Sequence, residues 1–302
     1  MATGDYEVHD PRFLNLFHGN ASIDVLWKGA RWCEGPVYVP AGRYLLWSDI
    51  PNDRVMRWDA CSGAVSVFES PCDNRNGHAL DRQGRVVFCE HRTRSIARIG
   101  FDGRREILAD RFAGMRLNSP NDLTVKSDDS IWFSDPTYGI DSDYEGDASD
   151  SEIGAQNVYR IATGGEVTLV AGDLLQPNGL AFSPDEALLY ISDTGFTHDK
   201  SHKPRIRVYP LSDNGKSLGL GRDFVEGDYG LFDGFRVDAA GNVWTSAGKG
   251  VNCYAADGTL LGRIPTDEVV ANLAFGGSKR NRLFICATTT LCAVYLNASG
   301  VS

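Results

Sequence analysis

NGHALDRQGRVVFCE (Asn76–Glu90), NDLTVKSDDSIWFSD (Asn121–Asp135) and NGLAFSPDEALLYISD (Asn178–Asp193) are three versions of one pattern. Each opens on an amide, runs through a short apolar stretch, turns, and returns through a second apolar stretch to an acidic residue. EGPVYVPAGRYLLWSD (Glu34–Asp49), DGFRVDAAGNVWTSA (Asp233–Ala247) and the looser NLAFGGSKRNRLFICA (Asn272–Ala287) bring the set to six. Successive openers lie 42, 45, 57, 55 and 39 residues apart. A period of roughly 40–50 residues, built from short strands and turn residues, is the signature of a β-propeller blade. Between the repeats come further β-rich runs (RVMRWD, AVSVFES, SIARIG) broken by Gly, Pro, Asn and Asp, and helical periodicity is nowhere sustained. The pattern predicts an all-β, six-bladed propeller.

IDVLWKG (Ile23–Gly29) reads as a lone strand ahead of the first repeat. It is placed to supply the missing outer strand of blade 6 and close the ring, leaving no sheet edge open. Residues 1–22 then form a tail that packs on a finished domain, and residues 23–302 form one propeller domain. The two long intervals locate insertions at Tyr138–Gln156 in blade 3 and Phe196–Pro204 in blade 4. Both follow a second strand, which returns to the same end of the propeller as the openers, so both are expected to act as lids there. Long loops in a compact domain are usually functional.

Bulk composition narrows the partners. The 302 residues are 42% hydrophobic, enough for a core, and carry 30 Lys+Arg against 40 Asp+Glu, a net charge of −10. That balance argues against a nucleic-acid partner. No apolar run approaches the ~20 residues of a membrane helix. The N-terminal MATGDYEVHDPRFLNLF lacks the basic-then-apolar pattern of a secretory signal, so a cytoplasmic location is expected. Seven cysteines without a CxxC pair suit that compartment as reduced, mostly buried thiols. A monomer or small homo-oligomer is expected.

The openers Glu34, Asn76, Asn121, Asn178, Asp233 and Asn272 all bear oxygen, and none is basic. Converging on one axis, they would form an all-oxygen site for one divalent cation, with Ca²⁺ favoured and Zn²⁺ or Mn²⁺ compatible. Turn chemistry explains the Asn-Gly and Asp-Gly pairs at 76, 178 and 233 equally well. Glu34 tips the reading toward a metal, because Glu is a poor turn former yet occupies the same slot.

GARWCEGPVYVPAGRYLLWSDIPNDRVMRWD, NGHALDRQGRVVFCEHRTRSIARI, SPNDLTVKSDDSIWFSDPTYG and QPNGLAFSPDEALLYISDTG together resemble the gluconolactonases of the SMP-30/gluconolactonase/LRE family. The likeness runs from about Asp10 to near the C-terminus and is strongest over the first four blades. It implies a six-bladed propeller with a catalytic divalent metal in the axial channel, acting on lactones of sugar acids or, in some branches, on organophosphates. By this resemblance Glu34, Asn178 and Asp233 match metal ligands, and Asn121 matches a residue that contacts metal, water or substrate. Asp233 matches the catalytic base, with Asn121 beside it. Where animal members carry a substrate-binding Arg, this chain has Ser119.

The expected reaction is metal-dependent opening of a sugar-acid lactone, D-glucono-1,5-lactone or a related aldonolactone. Either Asp233 removes the proton from the attacking water, or it orients a water whose pKa the metal lowers. The alternatives are a phosphotriesterase or other esterase using the same metal, and an interaction propeller without catalysis. The second would leave Glu34 and Asp233 repelling one another across the axis. Further substrate contacts are expected from Ser119, Tyr138, His78, Glu90 and His198. The acidic run DSDYEGDASDSE (Asp141–Glu152) reads as a solvated lid more than as a second Ca²⁺ loop. Asp49, Asp135 and Asp193, which close their repeats, read as structural caps for backbone amides.

Overall fold

A computed structural model describes residues 6–227 and 230–301. They form a six-bladed β-propeller, each blade an antiparallel sheet of about four strands wound outward from the axis. Blade 1 runs through Cys33–Val39, Tyr44–Asp49, Arg54–Asp59 and Val65–Glu69, and blade 2 through Arg75–Leu80, Val86–Glu90, Ser95–Ile99 and Arg105–Ala109. In blade 6, Asp24–Lys28 pairs with Thr290–Tyr295, so strands from both ends of the sequence share one sheet.

Apolar burial follows the ring. Six buried clusters sit one at each junction between neighbouring blades; Trp47 of blade 1, for example, shares a cluster with Phe284 and Cys286 of blade 6. Trp47, Trp132 and Trp244, on the second strands of blades 1, 3 and 5, are fully buried. Stability is therefore spread over junctions that each need both partners.

Among the described residues, those ahead of Asp24–Lys28 pack onto the ring. Glu7–Val8 pairs with the outer strand Leu260–Pro265 of blade 5. Tyr6 stacks on Phe17 at 4.4 Å, and Phe13 is fully buried in the blade 5–6 cluster. A Cβ on Gly262 would come within 2.0 Å of the Phe13 ring. Phe13→Ala should therefore cost about 3–5 kcal/mol, read as a lowered urea midpoint.

The openers do not lie in turns between strands, as the Asn-Gly pairs suggested. Glu34, Asn76, Asn178 and Asn272 lie inside the innermost strands of their blades, each at a break in register with the second strand. Asn121 and Asp233 lie just before theirs. Such bulges re-aim a side chain out of the sheet's alternation. The residue after the opener is glycine in four blades because neighbouring innermost strands crowd together at the axis. A Cβ on Gly35 would meet the Asn76 carbonyl oxygen at 1.9 Å, and one on Gly179 would meet that of Asp233 at 2.5 Å. Gly35 also has φ +52, where L side chains are strained. Gly35→Ala is expected to cost about 2–5 kcal/mol and to displace Glu34, measurable as a lower Tm together with weaker cation binding.

Candidate functional site

Serines of the second strands fix the openers' backbone. Ser48 Oγ donates to the Asn76 carbonyl at 2.8 Å, and Ser192 Oγ donates to that of Asp233 at 2.7 Å. The Asp233 N–H in turn donates to Ser246 Oγ at 2.8 Å. The acids closing the repeats bind backbone amides, as the sequence suggested: Asp49 accepts from Arg31 N–H, and Asp193 from the amides of Leu175, Gln176 and Gly195. With their backbones tied this way, five of the six openers line an axial cavity of about 420 Å³.

Glu34, Asn76, Asn121, Asn178 and Asp233 line this cavity, joined by Tyr138 and Glu145 from the blade-3 insertion and by Thr194 and Thr197 next to the blade-4 insertion. Glu34 is buried, and its Oε2 accepts the Gly35 N–H at 2.5 Å and the Asn272 amide at 2.8 Å. Burial, reinforced by the charge of Asp122, pushes its carboxyl up to about 8. Asp233 is held well above the usual carboxylate range by enclosure first, then by the charges of Glu34, Glu145 and Asp122, despite a hydrogen bond from the Asn178 side chain. Asn178 Oδ1 and Asn76 Oδ1 are buried without hydrogen-bond partners. Two mutually repelling carboxylates beside unpartnered amide oxygens are an unfavourable arrangement unless a cation sits among them. Among the described residues no group of three or more His, Cys, Asp and Glu side chains could by itself hold a metal ion. Any cation held here would have to draw on amide oxygens as well, a donor set that suits a hard cation such as Ca²⁺ better than one that seeks N and S donors.

Two residues near the axis escaped sequence reasoning. Asp122 is fully buried, and its Oδ2 receives the Asn272 amide at 3.1 Å and faces Arg236 at 3.5 Å. A chain of contacts therefore runs from Arg236 through Asp122 and Asn272 to Glu34. Its signal was an acid after the blade-3 opener where four other blades have glycine. The second, Glu145, was assigned to a solvated acidic run; it instead turns into the cavity, where burial raises its carboxyl to about 7.

Four expected substrate contacts lie elsewhere. Ser119 is fully buried, its hydroxyl donating to the Pro136 carbonyl and accepting the Gly139 N–H, so it anchors the start of the blade-3 insertion. Glu90 is buried among Arg75, Arg105 and Thr93 as an ionic hub, its strand-end position pointing it away from the axis. His78, two residues beyond its opener, lies past the bulge and faces the opposite end of the propeller. There it lines a larger cavity of about 850 Å³ that contains no opener side chain. His198 packs edge-on against Tyr138 and pairs with Asp141 at 3.0 Å, a contact between the blade-3 and blade-4 insertions. Tyr138 alone of the five expected contacts lines the cavity, its hydroxyl bonded to Thr194 and Thr197 of the neighbouring insertion.

Comparison with known proteins agrees with this architecture. A gluconolactonase from Zymomonas mobilis is 33% identical, over 96% of this chain and 85% of its own. A pentonolactonase from Haloferax volcanii is 29% identical, over 83% and 80%. The structure of a gluconolactonase from Xanthomonas campestris superposes with a TM-score of 0.90 at 38% identity, covering 96% of this chain and 94% of that one. Among the described residues no helix is long and apolar enough to cross a membrane. Residues 32–289 match the model of the SMP-30/gluconolactonase/LRE-like region, and the chain belongs to that family.

Proposed function

We propose that the protein is a metal-dependent lactone hydrolase that opens sugar-acid lactones, D-glucono-1,5-lactone or a related aldonolactone, to the free acid. The observation that carries this reading is the convergence of the Glu34 and Asp233 carboxylates with the Asn178 and Asn121 amides in one axial cavity. The lactonase activities named for its relatives support the same chemistry.

Glu34, Asn178 and Asp233, with Asn121 beside them, would hold the cation. When bound, it supplies polarisation of the lactone carbonyl and compensates the charge that develops on its oxygen. Glu34 is oriented for this by Gly35 N–H and Asn272, which both donate to Oε2. Asp233 takes the proton of the attacking water. Its enclosure, together with the surrounding negative charge, raises its proton affinity and opposes the lowering that a bound cation causes. Asn121 positions the lactone beside it, and Tyr138 with the lids restricts water at the reacting carbon.

The test is titrimetric assay at constant pH with a lactone panel, with and without EDTA, against the spontaneous opening rate. Catalysis that disappears with chelator and returns with Ca²⁺, Mn²⁺ or Zn²⁺ is the expected result. Opening that is indifferent to both would refute the reading.

A further inference from the structure

The blade-3 lid delivers to the axial cavity a carboxylate that no opener supplies. Glu145 lines the cavity with Asn76, Tyr138 and Asp233, and its backbone holds it there. The Glu145 carbonyl bonds His91 Nδ1 at 2.9 Å. A carbonyl has no proton to give, so Nδ1 carries the hydrogen and Nε2 accepts the Asn76 amide at 3.2 Å. Burial pushes the His91 imidazole down to about 4, so this neutral tautomer persists at ordinary working pH. The fit behind it is close: a Cβ on Gly139 would meet the His91 ring at 2.4 Å, and one on Gly146 would meet the Gly139 carbonyl oxygen at 2.1 Å. The lid is thus keyed to blade 2 through main chain and His91, which leaves the Glu145 side chain for the cavity. Asn76, having donated to His91, keeps a buried Oδ1 with no partner.

We propose that Glu145 is a specificity-determining residue, whose carboxylate, together with the Asn76 carbonyl oxygen, accepts hydrogen bonds from ring hydroxyls and selects polyhydroxylated lactones over bare alkyl lactones. This rests on the lactone-hydrolase reading above. Both groups are acceptors, and a sugar ring presents donors. An alkyl lactone would enclose them unpaired, which is the situation in which polar sites discriminate most strongly. The lid position distinguishes Glu145 from Glu34, which is fixed on an innermost strand.

The experiment compares kcat/KM for D-glucono-1,5-lactone and δ-valerolactone in wild type, Glu145→Gln and Glu145→Ala. Calorimetric titrations with D-gluconate and with Ca²⁺ accompany it. Glu145→Ala should lower kcat/KM for gluconolactone about 10- to 100-fold, mainly through KM, and reduce δ-valerolactone opening far less. Gluconate binding should weaken in parallel while Ca²⁺ affinity holds, and Glu145→Gln should fall between wild type and Glu145→Ala. An equal loss on both lactones, a loss of Ca²⁺ affinity, or no change would overturn the assignment while leaving lactone hydrolysis intact. Wild type inactive on both lactones would instead overturn the lactone-hydrolase reading and this inference with it.

Discussion

Asp233→Asn is expected to lower kcat for D-glucono-1,5-lactone by about 10³-fold or more, yet raise the melting temperature of the metal-free protein. The kinetic loss has two sources. An amide cannot accept the proton of the attacking water, and general-base contributions of about 10²–10⁴-fold are usual. The substitution also removes one of the two opener carboxylates, so cation affinity falls with it. The gain in stability has a separate cause. In the metal-free protein Asp233 is enclosed next to Glu34, Glu145 and Asp122, and these surroundings disfavour its charged form. A neutral isostere relieves that repulsion without opening a cavity. The pair of results, measured by steady-state kinetics and by thermal melts in EDTA, distinguishes a group placed for chemistry from one placed for folding. A variant that loses activity and also melts lower in EDTA would assign Asp233 a structural role, and unchanged kcat would move the base elsewhere.

Chelation should produce the second large effect: complete loss of catalysed lactone opening, accompanied by a fall in Tm that grows with pH. The sign follows from Glu34. Its carboxyl in the metal-free fold sits at about 8, above its ordinary 4.5. The stability it contributes is therefore complete below about pH 4.5 and lost as pH rises through about 8. Asp233, raised by the same causes, adds to the loss. A bound cation favours both ionised forms and reverses this trend, so the Tm difference between loaded and chelated protein should be small near pH 4.5 and widen toward pH 8. Glu34→Gln should flatten the dependence, raise the Tm of the chelated protein by about 5 °C or more, and weaken Ca²⁺ binding measured by calorimetry. Melting curves that ignore EDTA at pH 8 would show that no cation stabilises this site.

The ring was legible because a propeller repeats its sequence with its structure. Intervals between openers placed the blades, and the short oxygen-bearing residues marked the end of the axis where they converge. Sequence alone misjudged the setting of those residues. Asn-Gly looks like a turn, but at Asn76 and Asn178 the glycine is there because the next blade's main chain lies against it. Side chains that reach the site from loops were legible only in part. Tyr138 follows directly on a strand, and its position could be projected. Glu145 depends on His91 holding the insertion's main chain from another blade, a contact across 54 residues that no local pattern encodes. Ser119 and His78 stand beside openers in the sequence and Glu90 ends a second strand, yet a strand-end or a bulge is enough to send such residues to the opposite end or into an ionic hub. Asp122 drew no reading of its own, because it sits next to Asn121 at a position where four other blades carry glycine.

The crowding of innermost strands at the axis also bears on how such a site can diversify. A neighbouring blade crowds the position after the opener, whereas the side chains of Glu34, Asn76, Asn178 and Asp233 border the axial cavity. Substitution should therefore be far better tolerated by the fold at Glu34, Asn76, Asn178 and Asp233 than at Gly35, Gly77, Gly179 and Gly234, where an added side chain would collide with a neighbouring blade. Architecture and chemistry are written on adjacent but separate letters. A lineage can thus exchange carboxylates for amides around the ring, and so retune its ion or its substrate, without renegotiating the fold.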